Sequence, residues 1–392
     1  MRDFAAELEE RKQAGLYRTR RQISGPQQPA LVSDGVPLLS FCSNDYLGLA
    51  NHPGIIKAAT EAMPNTGFGG AASHLICGHH DAHHQLELRL ADFTRRSAAL
   101  FFSTGYMANM GVISALAGRG DTIFSDRLNH ASIIDGCVLS RARVRRYRHG
   151  DMSALADMLA ATGGHKLVVT DGVFSMDGDI APLRELAALC RAHDALLVVD
   201  DAHGLGVLGP QGRGSLMELG LSEEDVPILI GTLGKAVGTS GAFVAGPQLL
   251  MDYLVQKART YIYTTAMPPA IALATCASLD LIEREDSRRS HLQMLISEFR
   301  QEASALGYEL MPSRTPVQPI MVGDNWAALA LSQALEERGL MVTAIRPPTV
   351  PEGQARLRVT FSAAHSSEDL ATLLSALADC RSLLKRPSAE VV

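Results

Sequence analysis

The chain has 392 residues, more than one hydrophobic core usually supports, and this length predicts two domains with a large buried interior. Its apolar fraction of 46% and charged fraction of 20% are ordinary for a soluble globular protein, and its net charge of −6 argues against a general nucleic-acid or anionic-membrane surface. No uncharged apolar run approaches about 20 residues and the first residues lack a signal-peptide core, so we expect no membrane segment and a cytoplasmic location. The cysteines lie far apart without a C-x-x-C pair, which predicts reduced thiols: Cys42, Cys77, Cys137, Cys190, Cys276 and Cys380.

The amino-terminal part of the chain predicts an arm followed by a hairpin. Residues 3–14 have the pattern of a charged amphipathic helix, and the basic segment Tyr17–Arg21 follows it. We expect this arm to pack across the main body or a partner subunit. Asp34–Pro37 lies between two short apolar runs and marks the turn of the predicted hairpin.

Residues 54–245 alternate helical patterns with short apolar or β-branched runs. This alternation predicts an α/β fold with a mostly parallel sheet covered on both faces. Side chains that carry chemistry are then expected at the carboxyl ends of the strands. The predicted strands are Ala98–Ser103, Thr122–Ser125, Lys166–Thr170, Ala195–Asp200, Ile228–Gly231 and Gly241–Ala245.

A helical stretch over 248–305 leads into a smaller α/β unit. Its predicted strands are Val317–Val322, Met341–Ile345 and Ala355–Phe361, and its predicted helices are Asn325–Glu337 and Ser366–Leu384, with Ser366 as the cap of the last. The expected division is an amino-terminal arm over 1–50, a large domain over 51–275 and a small carboxyl-terminal domain over 276–392.

A lysine in a glycine-rich loop is the first candidate for chemistry. The loop Gly231–Gly238 follows the apolar run Val226–Ile230, so Lys235 lies just beyond a predicted buried strand. A lysine amine with little water around it can lose its proton near neutral pH and form a Schiff base with an aldehyde. The alternative is a surface lysine in a turn, because most lysines are exposed.

Further polar side chains follow the other predicted strands. Asp200 ends the predicted strand Ala195–Asp200 and His203 follows three residues later; a carboxylate at this place can keep a pyridine nitrogen protonated, and a capping aspartate with a packed histidine is the alternative. The turn at Gly105 and Tyr106 opens a helix whose first amides suit a phosphate. His130 can stack on a planar cofactor or be structural.

Three other motifs point to different chemistry and are disfavoured. Gly204–Gly209 matches G-x-G-x-x-G, but Pro210 interrupts any helix after it, which argues against a dinucleotide site. The pair Gly234-Lys235 lacks the Ser or Thr of a phosphate-binding loop. The histidine-rich stretch His79–His84 offers pairs at i and i+4 but no Glu in H-E-x-x-H fashion and no evident third ligand, so we expect no metal.

Six motifs stand in order along the chain: Ser43–Leu49, Ser103–Tyr106, Leu128–Ser132, Asp171–Gly178, Asp200–Gly204 and Gly231–Lys235. Together and in this order they resemble the α-oxoamine synthase family of pyridoxal 5'-phosphate (PLP) enzymes. The resemblance covers roughly residues 17–380. It implies a homodimer of the fold type I, aspartate-aminotransferase-like class of PLP-dependent transferases, with the active site at the subunit interface.

The resemblance also implies a role for each candidate residue. Lys235 would hold PLP covalently, Asp200 would pair with the pyridine nitrogen, and these two with His130 and His203 are the implied catalytic residues. The remaining implied cofactor contacts are Ser175 near the 3-oxygen of the ring, Gly105, Tyr106 and Thr232 at the phosphate, and Thr264 or Thr265 of the partner subunit.

The implied substrate contacts are Thr349 and an arginine of the arm for an acyl group, where we choose Arg18 over Arg20 and Arg21. The others are Asn44, Arg346 and Arg358. Period-two alternation places Arg356 and Arg358 on the face of the last strand opposite Leu357. Either arginine could hold the amino-acid carboxylate, as Arg346 also could, and we favour Arg358.

The segment Ile345–Pro351 most resembles the family members that act in biotin biosynthesis. Those members condense L-alanine with a pimeloyl thioester, carried on coenzyme A or on acyl carrier protein, and release carbon dioxide. Two alternatives stay open, a sister synthase that uses glycine with a short acyl-CoA and a cofactor-binding regulatory protein without activity. The basic run Arg141–Arg148 predicts a solvated strand edge, with docking of an acyl carrier as its alternative.

Overall fold

Residues 2–385 are described by the computed structural model. Their strands are β1 (Ile23–Ser24), β2 (Ala30–Ser33), β3 (Val36–Ser40), β4 (Ala98–Phe102), β5 (Thr122–Asp126), β6 (Arg143–Tyr147), β7 (Lys166–Asp171), β8 (Ala195–Asp200), β9 (Ile228–Thr232), β10 (Ala242–Gly246), β11 (Val317–Gly323), β12 (Leu340–Met341), β13 (Thr343–Ile345) and β14 (Ala355–Thr360).

The α-helices of the same residues are α1 (Phe4–Gln13), α2 (Pro53–Thr66), α3 (Asp81–Thr94), α4 (Gly105–Leu116), α5 (Ala131–Ser140), α6 (Met152–Ala160), α7 (Leu183–Ala192), α8 (Ser215–Glu218), α9 (Gln248–Lys257), α10 (Arg259–Ile262), α11 (Pro269–Arg284), α12 (Asp286–Ala305), α13 (Asn325–Glu336) and α14 (Ser367–Cys380). A π-helical turn spans His74–Gly78, and 3-10 turns span Pro210–Gly212 and Arg381–Lys385. None of these helices is both long and apolar enough to cross a bilayer.

The central element is a seven-stranded sheet with the order β4-β10-β9-β8-β7-β5-β6. Strands β5 to β9 pair in parallel, and β10 runs antiparallel to both of its neighbours. The mostly parallel sheet predicted from the sequence is therefore confirmed. Its parallel strands end along one edge, which brings the residues after β8 and β9 together.

Two hydrophobic clusters cover the two faces of this sheet. Every residue of β7 is buried, and two consecutive residues of this strand, Val168 and Val169, belong to different clusters. Side chains of a strand point alternately to opposite faces, so a strand buried on both sides needs a continuous apolar run. Such runs made the central strands recognisable in the sequence.

Strand β6 forms one edge of the sheet and carries the basic run. Arg143 and Arg146 are exposed, while Tyr147 is buried. The predicted solvated strand edge matches this position. Arginine side chains on an edge strand also discourage pairing with another sheet.

A second, antiparallel sheet has the order β11-β14-β13. In β14, Leu357 and Val359 are fully buried on one face, and Arg356 and Arg358 are also buried on the other. The arginine face of β14 is therefore turned toward other protein groups and not toward solvent.

The amino-terminal hairpin is present as β2 and β3, and Asp3 caps helix α1. A pairing absent from the sequence analysis joins β12 in parallel to β3, so the hairpin belongs to a four-stranded sheet with the carboxyl-terminal part of the chain. Arg21 adds an ion pair of 2.6 Å to Glu336 of α13.

Several predicted boundaries differ from those of the structure. The stretch 248–305 contains four helices, and its main interruption precedes Pro268 and Pro269, because a proline lacks the amide that a helix interior requires. The predicted strand Met341–Ile345 is divided between β12 and β13. Helix α14 begins after the Ser366 cap, as predicted, and ends at Cys380.

Candidate active site

The loop after β9 holds Lys235 in a fixed position. The Leu233 amide donates to the Gly241 carbonyl at 2.9 Å, and the Thr239 amide donates to the Leu233 carbonyl at 2.9 Å. Leu233 is fully buried, which adds apolar contacts to these hydrogen bonds. The backbone on both sides of Lys235 is therefore anchored to the sheet.

The Lys235 amine contacts His203, with 2.7 Å between Nζ and Nε2. Burial lowers the pKa of Lys235 to about 8, although the Asp200 and Asp171 carboxylates oppose this shift. Burial and the Lys235 charge hold the pKa of His203 well below its usual range. A neutral imidazole can accept a hydrogen bond from the amine, so this geometry suits a lysine that is readily deprotonated.

The two aspartates after β8 have different surroundings. Asp200 accepts from Asn109 Nδ2 at 2.6 Å and from the Ala202 amide at 3.0 Å, and it lines a cavity together with Lys235. Asp201 accepts from both the amide and the hydroxyl of Ser215, each at 2.7 Å. Only Asp200 is thus directed toward the cavity, as the sequence analysis expected.

A chain of hydrogen bonds extends from His203 to Arg358. The Tyr46 hydroxyl lies 2.5 Å from His203 Nδ1 and 3.2 Å from Asn44 Oδ1. Asn44 Oδ1 also accepts from Arg358 Nη2 at 3.1 Å. Asn44 and Arg358, which the sequence analysis expects to contact substrate, are therefore coupled to the imidazole that contacts Lys235.

His130 caps helix α5 and borders the same cavity. Its amide donates to Asp171 Oδ2 at 2.7 Å, and its Nδ1 lies 2.7 Å from Ser132 Oγ. Burial lowers the pKa of His130, so the ring is neutral near pH 7. Burial and the nearby Asp200 raise the pKa of Asp171 well above its ordinary value.

The start of helix α4 forms another wall of the cavity. Thr104 caps the helix by accepting from the Met107 amide at 3.1 Å. A Cβ at Gly105 would meet no atom within 4 Å, so the helix start faces open space there. Tyr106 donates its hydroxyl to Asp135 and lies edge-on to His130, with 6.4 Å between ring centroids.

The cavity has a volume of about 200 Å³. Seven predicted site residues line it: Gly105, Tyr106, His130, Asp200, His203, Thr232 and Lys235. The sequence analysis did not assign four further lining residues, Asn109, Ser132, Asp171 and Ala202. Asp171 ends a predicted strand and Asn109 follows the phosphate turn by about one helical turn, so position alone could have indicated both.

A second cavity of about 330 Å³ contains two of the remaining predicted residues. Ser175 and Thr349 line it, together with Arg127, Arg146 and Val350 among others. The Ser175 carbonyl accepts from Arg358 Nε at 2.6 Å, and the hydrogen-bond chain through Asn44 and Tyr46 links Arg358 to His203 of the first cavity.

Six predicted residues lie outside both cavity linings: Asn44 and Arg358, which belong to the hydrogen-bond chain from His203, and Thr264, Thr265, Arg346 and Arg18. Thr264 has its hydroxyl 3.9 Å from Met107 Sδ, and Thr265 forms an isolated backbone bridge with Ser73. Arg346 donates to the Gly15 carbonyl, and Arg18 is exposed.

The glycine motif Gly204–Gly209 does not lead into an α-helix. A 3-10 turn follows it at Pro210–Gly212, and Gly206 has a φ of 82°. A dinucleotide site needs a helix amino terminus directly after the turn. This geometry agrees with the sequence argument against such a site.

The residues around the 200 Å³ cavity fit PLP. Lys235 provides an amine, Asp200 provides a carboxylate, and the start of α4 provides backbone amides in open space. Buried Asn109 Oδ1 has no partner among the described residues, so the cavity wall also offers an acceptor. Amine, acid and anion-binding amides are the groups that an aldehyde, a pyridine nitrogen and a phosphate require.

This fold and this donor set define a fold type I PLP-dependent transferase. The family model for aminotransferase class I and II matches residues 36–377. The chain belongs to that family and, within it, to the α-oxoamine synthases.

Individual proteins of this family are similar to the chain over most of its length. The chain is 77% identical over 384 residues to 8-amino-7-oxononanoate synthase from Marinobacter nauticus, covering 98% of each chain. It resembles the solved serine palmitoyltransferase from S. paucimobilis with a bound PLP-myriocin aldimine, with a TM-score of 0.92, 32% identity and coverage of 97% of this chain and 99% of the other. The solved 8-amino-7-oxononanoate synthase from Francisella tularensis matches with a TM-score of 0.77 and 34% identity, covering 87% of this chain and 97% of the other.

Proposed function

We propose that this protein condenses L-alanine with a pimeloyl thioester, releasing carbon dioxide and the thiol carrier, to form 8-amino-7-oxononanoate for biotin biosynthesis. The observation that carries the proposal is the contact of 2.7 Å between Lys235 Nζ and His203 Nε2 in a cavity that Asp200 also lines. The identity of 77% to a named 8-amino-7-oxononanoate synthase supports the choice of substrates.

Bound PLP supplies an aldehyde that takes an amino group and an aromatic ring that spreads the charge of a carbanion. Lys235 has the lowered pKa that a base at the alanine Cα needs, and it returns the proton after the new bond has formed. His203 orients the Lys235 amine. Asp200 would hold a proton at the pyridine nitrogen of bound PLP, and His130, which lines the same cavity, would stack on its ring.

The proposed substrate contacts lie along the hydrogen-bond chain from His203 and at the 330 Å³ cavity. Arg358 can hold the alanine carboxylate bidentately while Asn44 fixes its guanidinium, with 3.1 Å between Nη2 and Oδ1. Thr349, on the 330 Å³ cavity, would contact the pimeloyl group, and exposed Arg18 is the second residue proposed for that group. Arg346 is engaged with the Gly15 carbonyl and is the weaker candidate.

We also infer a homodimer in which Thr264 or Thr265 of the partner subunit completes the phosphate site. Thr232 lines the cavity in its own chain, whereas Thr264 and Thr265 are outside that lining. The cytoplasmic location expected from the sequence stays a prediction.

Parallel assays of the purified holoenzyme test the function. The first pairs L-alanine with pimeloyl-CoA or pimeloyl-acyl carrier protein, and the second pairs glycine with acetyl-CoA. We expect release of carbon dioxide and 8-amino-7-oxononanoate only in the first. Turnover confined to glycine with acetyl-CoA would contradict the proposal in favour of the sister synthase, and a protein that binds PLP but turns over neither pair would indicate a regulatory role.

A further inference from the structure

The histidine-rich stretch before and within helix α3 has a different geometry from the one its spacing indicated. Helix α3 begins at Asp81, so His79 precedes it and is not one helical turn from His83. His84 and Glu87 are both in the helix, three residues apart, and residues at this spacing share a helix face. Glu87 therefore lies on the same helix face as His84, a neighbour that was not evident from the histidines alone.

We propose that His79, His84 and Glu87 bind one divalent cation of the Zn²⁺ type. One ligand atom from each of these residues lies within 4.8 Å of the others. Zinc bonds of about 2.0–2.2 Å in a tetrahedral site place two ligand atoms roughly 3.3 Å apart, so modest side-chain rotations close the site. Two histidines and one glutamate leave a fourth position for water.

The Glu87 carboxylate is buried in a way that a cation would stabilise. Only 9% of the residue is exposed. Its Oε1 accepts from the Phe101 amide at 2.9 Å, and its Oε2 faces His79 Nε2 at 3.9 Å, too far for a hydrogen bond. Burial raises the pKa of Glu87 to about 7, and no Lys or Arg of the described residues forms an ion pair with it.

The contact between His79 and His74 leaves one ring nitrogen of His79 available. His79 Nδ1 lies 2.9 Å from His74 Nδ1, and burial lowers the pKa of both rings, to about 4 for His74. When His79 donates in this pair, its Nε2 carries a lone pair toward Glu87. Hydrogen bonds from outside the ligand set commonly fix the tautomer of a metal-bound histidine in this way.

The neighbouring histidine His83 is not available as a ligand. Its Nδ1 accepts from the His80 amide at 3.1 Å, and its Nε2 lies 2.7 Å from the Met267 carbonyl. Both ring nitrogens are therefore engaged, and this excludes the alternative cluster of His74, His79 and His83.

A bound cation would connect three parts of the fold. His79 follows the π-helical turn His74–Gly78, His84 and Glu87 lie on α3, and Glu87 bonds to β4 through Phe101. We therefore expect the cation to stabilise the folded holoenzyme.

Calorimetric titration of the EDTA-treated holoenzyme with ZnCl₂, without amino acid present, tests the site. We expect one Zn²⁺ per chain and a higher melting temperature. Glu87→Gln retains an acceptor for the Phe101 amide, and His84→Ala changes an exposed side chain, so both variants should fold. Each is expected to weaken Zn²⁺ binding about ten-fold or more, because each removes one of three ligands.

Two control variants distinguish this site from other thiols and imidazoles. Cys77→Ser removes an exposed thiol of the same segment, and His193→Ala removes the histidine that directly follows helix α7. Both should bind Zn²⁺ as the unmodified protein does. Equal binding by Glu87→Gln and His84→Ala, loss of binding in Cys77→Ser, or no binding by the unmodified protein would each overturn the proposal.

Discussion

Lys235 and His203 lie 2.7 Å apart, amine nitrogen to imidazole Nε2, and this contact sets the direction of a longer chain of hydrogen bonds. Because His203 is neutral, it accepts from Lys235 and donates through Nδ1 to the Tyr46 hydroxyl. Tyr46 then donates to Asn44 Oδ1, which also accepts from Arg358. The Tyr46 hydroxyl and the proposed carboxylate-binding arginine thus share one acceptor, Asn44 Oδ1, and the chain of hydrogen bonds ends at the Lys235 amine.

Tyr46→Phe tests this chain. The substitution removes the acceptor of His203 Nδ1 while leaving the apolar ring in place. A hydrogen bond of this kind contributes about 0.5–1.5 kcal/mol, so we expect kcat with L-alanine to fall roughly 3–10-fold. Tyr253→Phe, at an exposed tyrosine, is the control. An unchanged kcat would mean that His203 is oriented without Tyr46.

Lys235→Ala should abolish turnover and the covalent attachment of PLP, because this residue alone of those lining the cavity carries a primary amine. The visible absorbance of the purified protein and a condensation assay measure the two effects. Lys57→Ala, at an exposed lysine, should change neither. A variant at position 235 that stays yellow and active would contradict the assignment.

Asp200→Asn and Asp201→Asn should separate chemistry from folding. Asp200→Asn is expected to fold and bind PLP but to exchange the alanine Cα proton about 100-fold more slowly, because a charge that stabilises the carbanion is lost. Asp201→Asn disturbs two hydrogen bonds from Ser215 and should instead lower the free energy of unfolding by about 1–3 kcal/mol. Denaturant titration and proton exchange measure both variants. The reverse pattern would assign the cofactor to Asp201.

The central sheet was predictable because the apolar runs that mark its strands are local features of the sequence. Strands such as β7 are buried on both faces and appear in the sequence as unbroken apolar runs. The pairing of β12 with β3 was not predictable, since it joins segments some 300 residues apart and depends on two short strands. Pro268 and Pro269 indicated a helix break in the sequence, but the helical pattern on both sides led to the prediction of one continuous stretch.

Within the site, residues at strand ends were predictable and those fixed by tertiary contacts were not. Lys235 and Asp200 directly follow or end apolar runs, so the carboxyl-end rule indicated them. Asn109 lies inside a helix, and its role depends on a contact of 2.6 Å with Asp200 across the fold. The position of Thr264 relative to a partner subunit depends on assembly, which a single sequence does not encode locally.

The pH dependence of PLP uptake follows from the lowered pKa of Lys235. Only the neutral amine attacks an aldehyde, and the folded protein deprotonates Lys235 near pH 8 where an ordinary lysine needs about 10.5. The rate of PLP uptake by the apoprotein should therefore rise with pH and level off above about pH 8. Stopped-flow absorbance at fixed PLP measures this profile. A rate that still increases steeply through pH 10 would show that burial does not lower the pKa.

His149 should stabilise the fold in a pH-dependent way. Its Nδ1 lies 3.1 Å from Asp126 Oδ1 and its Nε2 2.9 Å from Asp179 Oδ2, and these carboxylates, opposed by burial, raise its pKa to about 10. Because the folded pKa exceeds the ordinary 6.5, the stabilisation is complete below pH 6.5 and is lost as the pH rises toward 10. His149→Ala should therefore lower the free energy of unfolding by about 1–3 kcal/mol at pH 6 and by progressively less above pH 7. Urea titrations across this range measure the change, with exposed His165→Ala as the control, and a loss independent of pH would indicate packing against Phe174 instead.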